Sequence, residues 1–415
     1  MTTNPVPDAR FSPGAARLVW ATAAMFVFFQ MVLQTVPSVM REGLVVDLSL
    51  SEAGFGGLSS SFYYPYILLQ IPAGIAVARF GARRVLIVGA VLCTVASFLF
   101  AMSQSAGSAE LTRVLMGVGA APTVVCTMTL AAQWFPAKMF PLLAALTEMA
   151  GMTGAAIGQE TLGFIVESAG WRAGMLTCGV FSAILLVLIV LFVRNRSAAG
   201  SDAGAGDHWP RAGDIKRLIG SVPVLCSSAA GGFVAAAGVA FGMLWGVSYF
   251  QDYHHLSLSA ASVCASFYFW GCLPGMLGFA WLCSRWGRPA MLLAIGAIGT
   301  ALTMVLILFV LRGQMALSAA MFVLGVFNAS YALSFSMVKD EVPPELSGVA
   351  MGLTNMLIMG IGGLLFQPLL GVLAHARGHS VPDATTLSVT IAAQLFALAV
   401  LVLGARHGGR RSVPG

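Results

Sequence analysis

The sequence predicts an all-α membrane protein with twelve transmembrane helices, and three features indicate this fold class. Hydrophobic residues make up 58% of the 415 positions and charged residues only 9%, whereas a soluble domain carries about 25% charged residues. Apolar runs of about 20 residues, the length of a helix that crosses a bilayer, follow one another along the chain. The basic residues lie mainly between these runs. A soluble fold cannot bury this much apolar surface.

The apolar runs fall into two groups of six. A polar stretch over residues 194–220, rich in Gly, Ser, Asp and basic residues, separates the groups. We therefore predict a six-helix bundle over residues 1–193, a cytoplasmic linker over 194–220 and a second six-helix bundle over 221–415. The predicted spans are 18–40, 53–77, 85–103, 109–131, 141–167, 173–193, 222–250, 259–283, 289–311, 316–338, 347–374 and 386–404.

The positions of the basic residues predict the orientation of the chain. If both termini are cytoplasmic, 17 of the 22 Lys and Arg residues lie on the cytoplasmic side and 5 on the other side. Cytoplasmic loops carry such an excess in membrane proteins. The segment Met1–Arg17 is polar and lacks the pattern of a signal peptide, which predicts a cytoplasmic tail. We expect a multi-pass protein of a bacterial inner membrane with both termini in the cytoplasm.

Several function classes find no support in the sequence. The net charge of +6 is not arranged as a basic stripe with interleaved aromatic residues, so nucleic acid is not an expected partner. All seven cysteines fall inside predicted spans without a CxxC pair, and we interpret them as buried apolar residues. No metalloprotease motif or nucleotide-binding loop is present. We expect no cofactor, no metal and no enzymatic activity, and energy must come from ion or solute gradients.

The two predicted bundles repeat each other. Arg79-Phe80-Gly81 follows the second span and Arg285-Trp286-Gly287 follows the eighth, 206 positions later. This repeat predicts two pseudo-symmetric bundles. Parallel repeats of this kind place a solute site between the halves, near the middle of the bilayer.

The segment Gly74-Ile75-Ala76-Val77-Ala78-Arg79-Phe80-Gly81-Ala82-Arg83-Arg84 resembles the signature loop of the major facilitator superfamily. This resemblance implies a conformational latch, in which a tight Gly turn and basic side chains pin one helix end in one access state. The family usually has Asp where this chain has Ala78, and the second copy has Ser284 there. The implied latch residues are Gly74, Arg79, Gly81, Arg83, Arg285, Gly287 and Arg288.

Other segments extend the resemblance. Arg113 with Gly117 and Gly119 is similar to the family's motif on helix 4, and Gly170-Trp171-Arg172 is similar to an outer loop. Helix 5 lacks the Gly-Pro signature of drug antiporters, which favours uptake. A narrower resemblance links the chain to the branch with bacterial intraphagosomal amino-acid transporters and a lysosomal dipeptide carrier. The residues that carry it are Tyr63-Tyr64-Pro65-Tyr66, Gln70-Ile71-Pro72, Trp245-Gly246-Val247 and Thr354-Asn355-Met356.

Three ionisable residues inside predicted spans are candidates for function, because each such group costs about 2.5–3.5 kcal/mol at the centre of a span. Arg113 and Glu160 lie about 6 and 10 Å from the outer ends of their helices, so they could pair, either as a proton-coupling unit or as a static ion pair. Glu148 has no cation at its depth. It is either a proton carrier or a hydrated residue of the cytoplasmic vestibule.

Polar and aromatic residues on four helices form a candidate solute site. Gln30 and Gln34 share one face of helix 1, and Asn328 and Tyr331 share one face of helix 10. The resemblance implies that helices 1, 4, 7 and 10 border the central cavity, so these residues and Trp245 are expected to contact solute, with helix packing as the alternative for each. Together with Arg113 they form the predicted solute-binding set.

The leading hypothesis is a secondary active transporter that takes up a small polar organic solute, such as an amino acid, a short peptide or an organic acid. Proton symport through Glu148 or Glu160 would drive it by alternating access. The alternative is a proton-driven exporter or a permease for a drug-like compound or siderophore. A third class, a membrane enzyme or sensor, lacks a catalytic constellation or a signalling domain.

Overall fold

The computed structural model describes residues 13–136, 139–195, 218, 220–343 and 346–408. The predicted linker therefore lies almost entirely outside the described residues, as do most of the predicted N-terminal tail and Lys138, which counted toward the predicted charge asymmetry.

Helices account for nearly all of the described chain, and we number them α1 to α12 by membrane crossing. The first six are α1 (Pro13–Asp47), α2 (Glu52–Ser60, Tyr63–Leu68 and Gln70–Phe80), α3 (Ala82–Ala101), α4 (Ala106–Ala120 and Thr123–Trp134), and the stretch Phe140–Phe192, which Gly170 divides into α5 and α6. The last six are α7 (Val222–Ala236, Ala237–Trp245 and Gly246–His254), α8 (Leu258–Trp286), α9 (Pro289–Val305 and Leu306–Val310), α10 (Gln314–Asn328, Ala329–Ala332 and Leu333–Asp340), α11 (Ser347–Met359, Gly360–Phe366 and Gln367–Ala376) and α12 (Ala384–Leu387 and Val389–Gly408).

The lengths of these helices give twelve crossings. Ten described helices are long and apolar enough to cross a membrane, and the bent helix α2, with an angle of 55°, is the eleventh. The stretch Leu142–Phe192 has 51 residues, so as one straight helix it would measure about 76 Å against a hydrocarbon core of about 30 Å. Gly170, with φ 81° and ψ 168°, breaks it into two crossings. The predicted all-α membrane fold is confirmed.

Local sequence signals set several helix ends. Ser51, Ser105, Ser257 and Asp383 precede helices, and each side chain accepts a hydrogen bond from the backbone N–H three residues later, which satisfies a donor that the helix leaves free. The predicted tight Gly turns are present in both copies of the repeat. Gly81 has φ 81° between α2 and α3, and its counterpart after α8 has φ 62°, a region that favours glycine.

Small residues bring the helices into close contact. A Cβ atom at Gly154 of α5 would overlap the backbone of Phe28 in α1, and one at Gly271 of α8 would overlap the backbone oxygen of Phe322 in α10. Between the first and the last six helices, a Cβ at Gly163 of α5 would overlap a side chain of α8. Without a hydrophobic force between helices in lipid, such close backbone approach supplies the packing energy.

The contacts between the first and last six helices cluster at one side of the molecule. We call the side on which α1 begins and α12 ends the terminal side, and the opposite side, where α1 ends and α2 begins, the distal side. The first segment of α2 packs on the last segment of α11, and the distal part of α5 packs on that of α8. On the terminal side, α11 has only limited contact with α2. The described helices are therefore closed against each other on the distal side.

Candidate functional site

Arg113 is the most deeply buried charged residue of the candidate site. Helix α4 places it between α1 and α2 with 1% of its surface exposed. Its guanidinium donates to the Leu33 carbonyl at 2.6 Å and to the Ser59 carbonyl at 3.3 Å, and it lies over the Phe62 ring, 5.0 Å from the centroid. Its Nε has no partner. No described carboxylate lies within ion-pair distance, so the positive charge is held by neutral groups alone.

The predicted pairing of Arg113 with Glu160 is wrong. The Glu160 carboxylate instead accepts hydrogen bonds from the Ser266 hydroxyl at 2.6 Å and from the Trp270 indole at 3.0 Å, both on α8. Similar depth in the membrane did not bring the two groups together, because Glu160 faces the last six helices whereas Arg113 faces α1 and α2. Glu160 is thus part of the distal contact between the halves.

Glu148 lies toward the terminal side of α5, and its side chain is exposed. It lies near the hydroxyl groups of Tyr66 on α2 and Tyr331 on α10. These partners come from both halves of the molecule, so the exposed carboxylate faces the space between the halves and not the lipid. No described cation forms an ion pair with it.

The two glutamines of α1 are buried in this region. Gln30 and Gln34 have 2% and 3% of their surface exposed. The Gln30 amide donates to the Tyr66 hydroxyl at 3.1 Å. The carbonyl oxygens of both side chains lack a hydrogen-bond partner, and such unpaired buried groups cost about 1–3 kcal/mol each. A solute or water that supplies donors would remove this cost.

Two other residues of the predicted solute set are used in packing. Trp245 is fully buried, its indole N–H donates to the backbone carbonyl of Gln367 at 3.0 Å, and its ring meets the Phe55 ring edge-on. Asn328 is also fully buried, accepts from the Tyr268 hydroxyl at 2.8 Å and donates to a backbone carbonyl of α7 at 2.7 Å. Neither side chain can contact a solute in this conformation.

Sequence analysis overlooked further polar residues at the same depth. Gln159 on α5 donates to the Ser38 hydroxyl at 3.0 Å and to the Gly242 carbonyl of α7 at 3.4 Å, and its own carbonyl oxygen is unpaired. Gln367 on α11 donates to a carbonyl of α7 at 2.9 Å, and its side chain faces the buried Tyr63 hydroxyl. Amides inside apolar spans were the signal that identified Gln30 and Gln34, and the same signal could have identified these two.

The described residues contain no group of three His, Cys, Asp or Glu side chains that could hold a metal ion. The chemistry of the region is that of a buried cation, unpaired amide oxygens, phenols and one exposed carboxylate. These groups can bind a polar solute reversibly and accept a proton.

Comparison with known proteins identifies the family. A model of the Major Facilitator Superfamily matches residues 18–367, which is most of the chain. The chain belongs to this superfamily. It is therefore a multi-pass membrane protein with the fold of the superfamily's transporters.

Among curated superfamily proteins, similarity is distant and partial. The chain is 26% identical over 242 residues to a hexuronate transporter of Bacillus subtilis, covering 56% of this chain and 54% of the relative. It is 25% identical over 164 residues to a galactarate/D-glucarate transporter of Escherichia coli, covering 38% and 37%. It is 27% identical over 155 residues to an inorganic phosphate cotransporter of Drosophila melanogaster, covering 36% and 29%. The chain thus spans 29 to 54% of the length of these relatives.

Solved structures of the superfamily match nearly the whole chain. A bacterial homologue of the human lysosomal transporter Spinster, in an inward-facing and unoccupied conformation, superposes with a TM-score of 0.79 at 15% identity, covering 95% of this chain and 98% of that one. A D-xylose-proton symporter superposes with a TM-score of 0.74 at 16% identity, covering 93% and 96%. These matches show the shared fold. The narrower resemblance to amino-acid and dipeptide carriers stays a prediction.

The superfamily's signature loop is anchored by one of its predicted latch residues. The backbone N–H of Arg83 donates to the Asn195 side chain at 2.9 Å, and its guanidinium donates to the Val190 carbonyl of α6 at 2.9 Å. Arg79 stacks on the adjacent Phe80 ring, 5.3 Å from the centroid, and makes no polar contact with the described residues. A Cβ atom at Gly74 would meet nothing within 4 Å, so packing does not require a glycine there. The loop is tied to α6 in this conformation, and its role as a latch stays a prediction.

The second copy of the loop has no such anchor among the described residues. Arg285 lies over the Trp281 ring, 5.7 Å from the centroid, and both Arg285 and Arg288 are exposed. Neither one has an acidic partner among the described residues. Gly287 ends α8 in the left-handed conformation, and a Cβ there would meet nothing within 4 Å. The second copy keeps the turn and lacks the contact that ties down the first.

Proposed function

We propose that this superfamily member is a secondary active transporter of a small polar organic anion, taken up together with protons. The observation that carries the proposal is Arg113, fully buried between three helices without any described carboxylate within ion-pair distance. An isolated buried charge is costly, and ions inside a membrane span normally have a partner or contact water. An anionic solute would supply the missing partner in a conformation that opens access to the guanidinium, which is enclosed here.

The distant relatives agree with an anionic solute. Hexuronate, galactarate, D-glucarate and inorganic phosphate, which appear in the names of the relatives, all carry negative charge at neutral pH. Among the solutes that the sequence leaves open, organic acids are therefore favoured over peptides. The unpaired carbonyl oxygens of Gln30 and Gln34 would accept hydrogen bonds from hydroxyl groups of such an acid.

Alternating access requires one side of the transporter to be shut while the other is open. The proposal treats the present structure as the state closed on the distal side, and places both termini and the linker in the cytoplasm of a bacterial inner membrane. Basic residues at the terminal ends of the helices, such as Arg79, Arg83 and Arg285, support that orientation. Under it, the present state would release solute to the cytoplasm.

Two carboxylates are the candidates for proton coupling. Glu148 faces the space between the halves without a cation, so it can exchange protons with water and respond to a nearby anion. Glu160 holds α5 to α8 through Ser266 and Trp270, so a change in its charge would act on the distal contact directly. We assign the coupling proton to Glu148 and closure of the distal side to Glu160.

Flux through proteoliposomes tests the function. Proteoliposomes that contain the purified protein are loaded with one unlabelled solute at a time and assayed for counterflow of the same solute in labelled form. The solutes are a hexuronate, D-glucarate, phosphate, an amino acid, a dipeptide and a neutral hexose. The proposal predicts exchange of an organic acid, and accumulation of that acid when the outside is made acidic. Exchange confined to the neutral hexose or the dipeptide would contradict it.

A further inference from the structure

One face of α8 changes character from apolar to basic toward the terminal side. Leu277, Trp281 and Arg285 are spaced four residues apart, so they lie above one another on the same face. Leu277 is 52% exposed and Trp281 is 59% exposed. Arg288 follows just beyond the helix end and is also exposed. The face therefore presents an aliphatic, an aromatic and then a cationic surface in order.

The dimensions of this face match one leaflet of a bilayer. From Leu277 to Trp286, the last residue of the helix, is nine residues, or about 14 Å along the helix, and half of the hydrocarbon core is about 15 Å thick. Tryptophan is enriched at the boundary between the core and the head groups. A Cβ atom at Gly278 would meet nothing within 4 Å, so the surface beside Leu277 is open to an acyl chain.

The cationic end of this face has no acidic partner among the described residues. No described carboxylate lies within ion-pair distance of Arg285 or Arg288, and Ser284 stands where the superfamily loop usually has an acid. In the first copy of the loop, Arg83 is tied to α6, whereas the position 206 residues later is Pro289, which cannot form such a contact. The second copy thus leaves both charges available to an outside ligand.

We propose that the terminal end of α8 is a binding site for an anionic phospholipid, with the phosphate at Arg285 and Arg288, the glycerol region at Trp281 and an acyl chain along Leu277. Arg285 lies over the Trp281 ring at 5.7 Å, so one ligand can contact both. A free phosphate ion would meet only the two arginines. The apolar part of the face selects a lipid, and the two charges select an anionic one.

Native mass spectrometry of the full chain tests this site. Protein purified in a neutral detergent is mixed with equal amounts of phosphatidylglycerol and phosphatidylcholine of identical acyl chains, with and without excess glycerol 3-phosphate. Each basic residue near a membrane surface contributes about fivefold to binding of anionic lipid. We therefore expect wild-type protein to retain phosphatidylglycerol in preference to phosphatidylcholine. In the variant Arg285→Gln/Arg288→Gln, the ratio of retained phosphatidylglycerol to phosphatidylcholine should be about 25-fold lower. The variant Trp281→Ala should weaken retention of both lipids.

Two controls make the test specific. The variant Arg312→Gln removes an exposed arginine at the distal side and should leave the retention of phosphatidylglycerol unchanged. All substituted side chains are exposed, so each variant is expected to have the same melting temperature as the wild type. Equal retention of the lipid by wild type and the double arginine variant would overturn the proposal. So would complete displacement of the lipid by glycerol 3-phosphate, because the site would then recognise a free anion.

Discussion

The ion pair between Arg41 and Glu52 is expected to hold the distal side closed, and the variant Glu52→Gln tests this. Arg41 Nη2 lies 2.6 Å from Glu52 Oε1, with side chains only 8% and 9% exposed. Arg41 also donates to the Ser380 carbonyl in the other half. Removal of one partner of a buried pair costs about 3–5 kcal/mol, because the remaining charge is buried alone.

This cost applies mainly to the closed state. When the distal side opens, Arg41 leaves Ser380 and gains water, so the variant is penalised far less in the open state. The equilibrium should therefore shift toward the distal-open state by as much as about 150- to 5,000-fold. Asp47→Asn is the matched control. Its pair with Arg172 lies on the same side but is 37% and 46% exposed, and exposed pairs contribute little.

Distances between spin labels report the shift. Met102 at the distal end of α3 and Met315 at the start of α10 are 71% and 87% exposed, and labels attached through unnatural amino acids at these sites leave the seven native cysteines intact. We predict a longer distance for Glu52→Gln and an unchanged distribution for Asp47→Asn. If both variants keep the wild-type distribution, or if both change it equally, the buried pair does not hold the distal side closed.

Three further predictions concern coupling, packing and the signature loop. Glu148→Gln should abolish accumulation driven by a pH gradient and spare solute exchange, since exchange needs no net proton movement; accumulation by the variant in proteoliposomes would exclude Glu148 as the coupling group. Gly271→Ala should destabilise the protein by about 1–3 kcal/mol, because the added Cβ overlaps the backbone of α10. Gly278→Ala, on the open face of the same helix, should have the melting temperature of the wild type. Equal melting temperatures for all three proteins would refute the packing argument. Charge reversal at Arg79 should slow turnover more than it weakens solute binding. Arg83→Gln, which removes the guanidinium hydrogen bond to α6, should slow turnover more than the change at Arg79 does. Unchanged turnover in both variants would contradict the latch role of the loop.

The sequence alone predicted the fold well because each crossing is an independent apolar run. The twelve predicted spans all correspond to described helices, and the predicted glycine turns after α2 and α8 are present, with positive φ at both glycines. The breaks inside helices were not predicted. The loop expected between residues 167 and 173 is reduced to a single break at Gly170, and the π-helical segments of α7, α9 and α11 depend on tertiary packing that no local pattern encodes.

The candidate site was predicted less completely, for a geometric reason. Sequence spacing shows which side chains share a helix face and how deep they lie, but it does not show which way that face points. Arg113 and Glu160 were matched by depth and face different helices. Trp245 and Asn328 were placed on cavity helices and are fully buried in packing. Gln30 is also buried and contacts the Tyr66 hydroxyl; its role in solute binding stays a prediction.

The most direct test of the anion site is the affinity of purified protein for an organic acid, measured by isothermal titration calorimetry for wild type and Arg113→Gln. Hydrogen bonds to charged groups contribute about 1.5–3 kcal/mol, so the variant should bind the acid at least tenfold more weakly. A neutral hexose should bind neither protein. Arg312→Gln, which removes an exposed arginine on the distal side, serves as the control for general damage, and the melting temperature confirms that each variant is folded. Unchanged affinity for the acid in a folded Arg113→Gln variant would contradict the account.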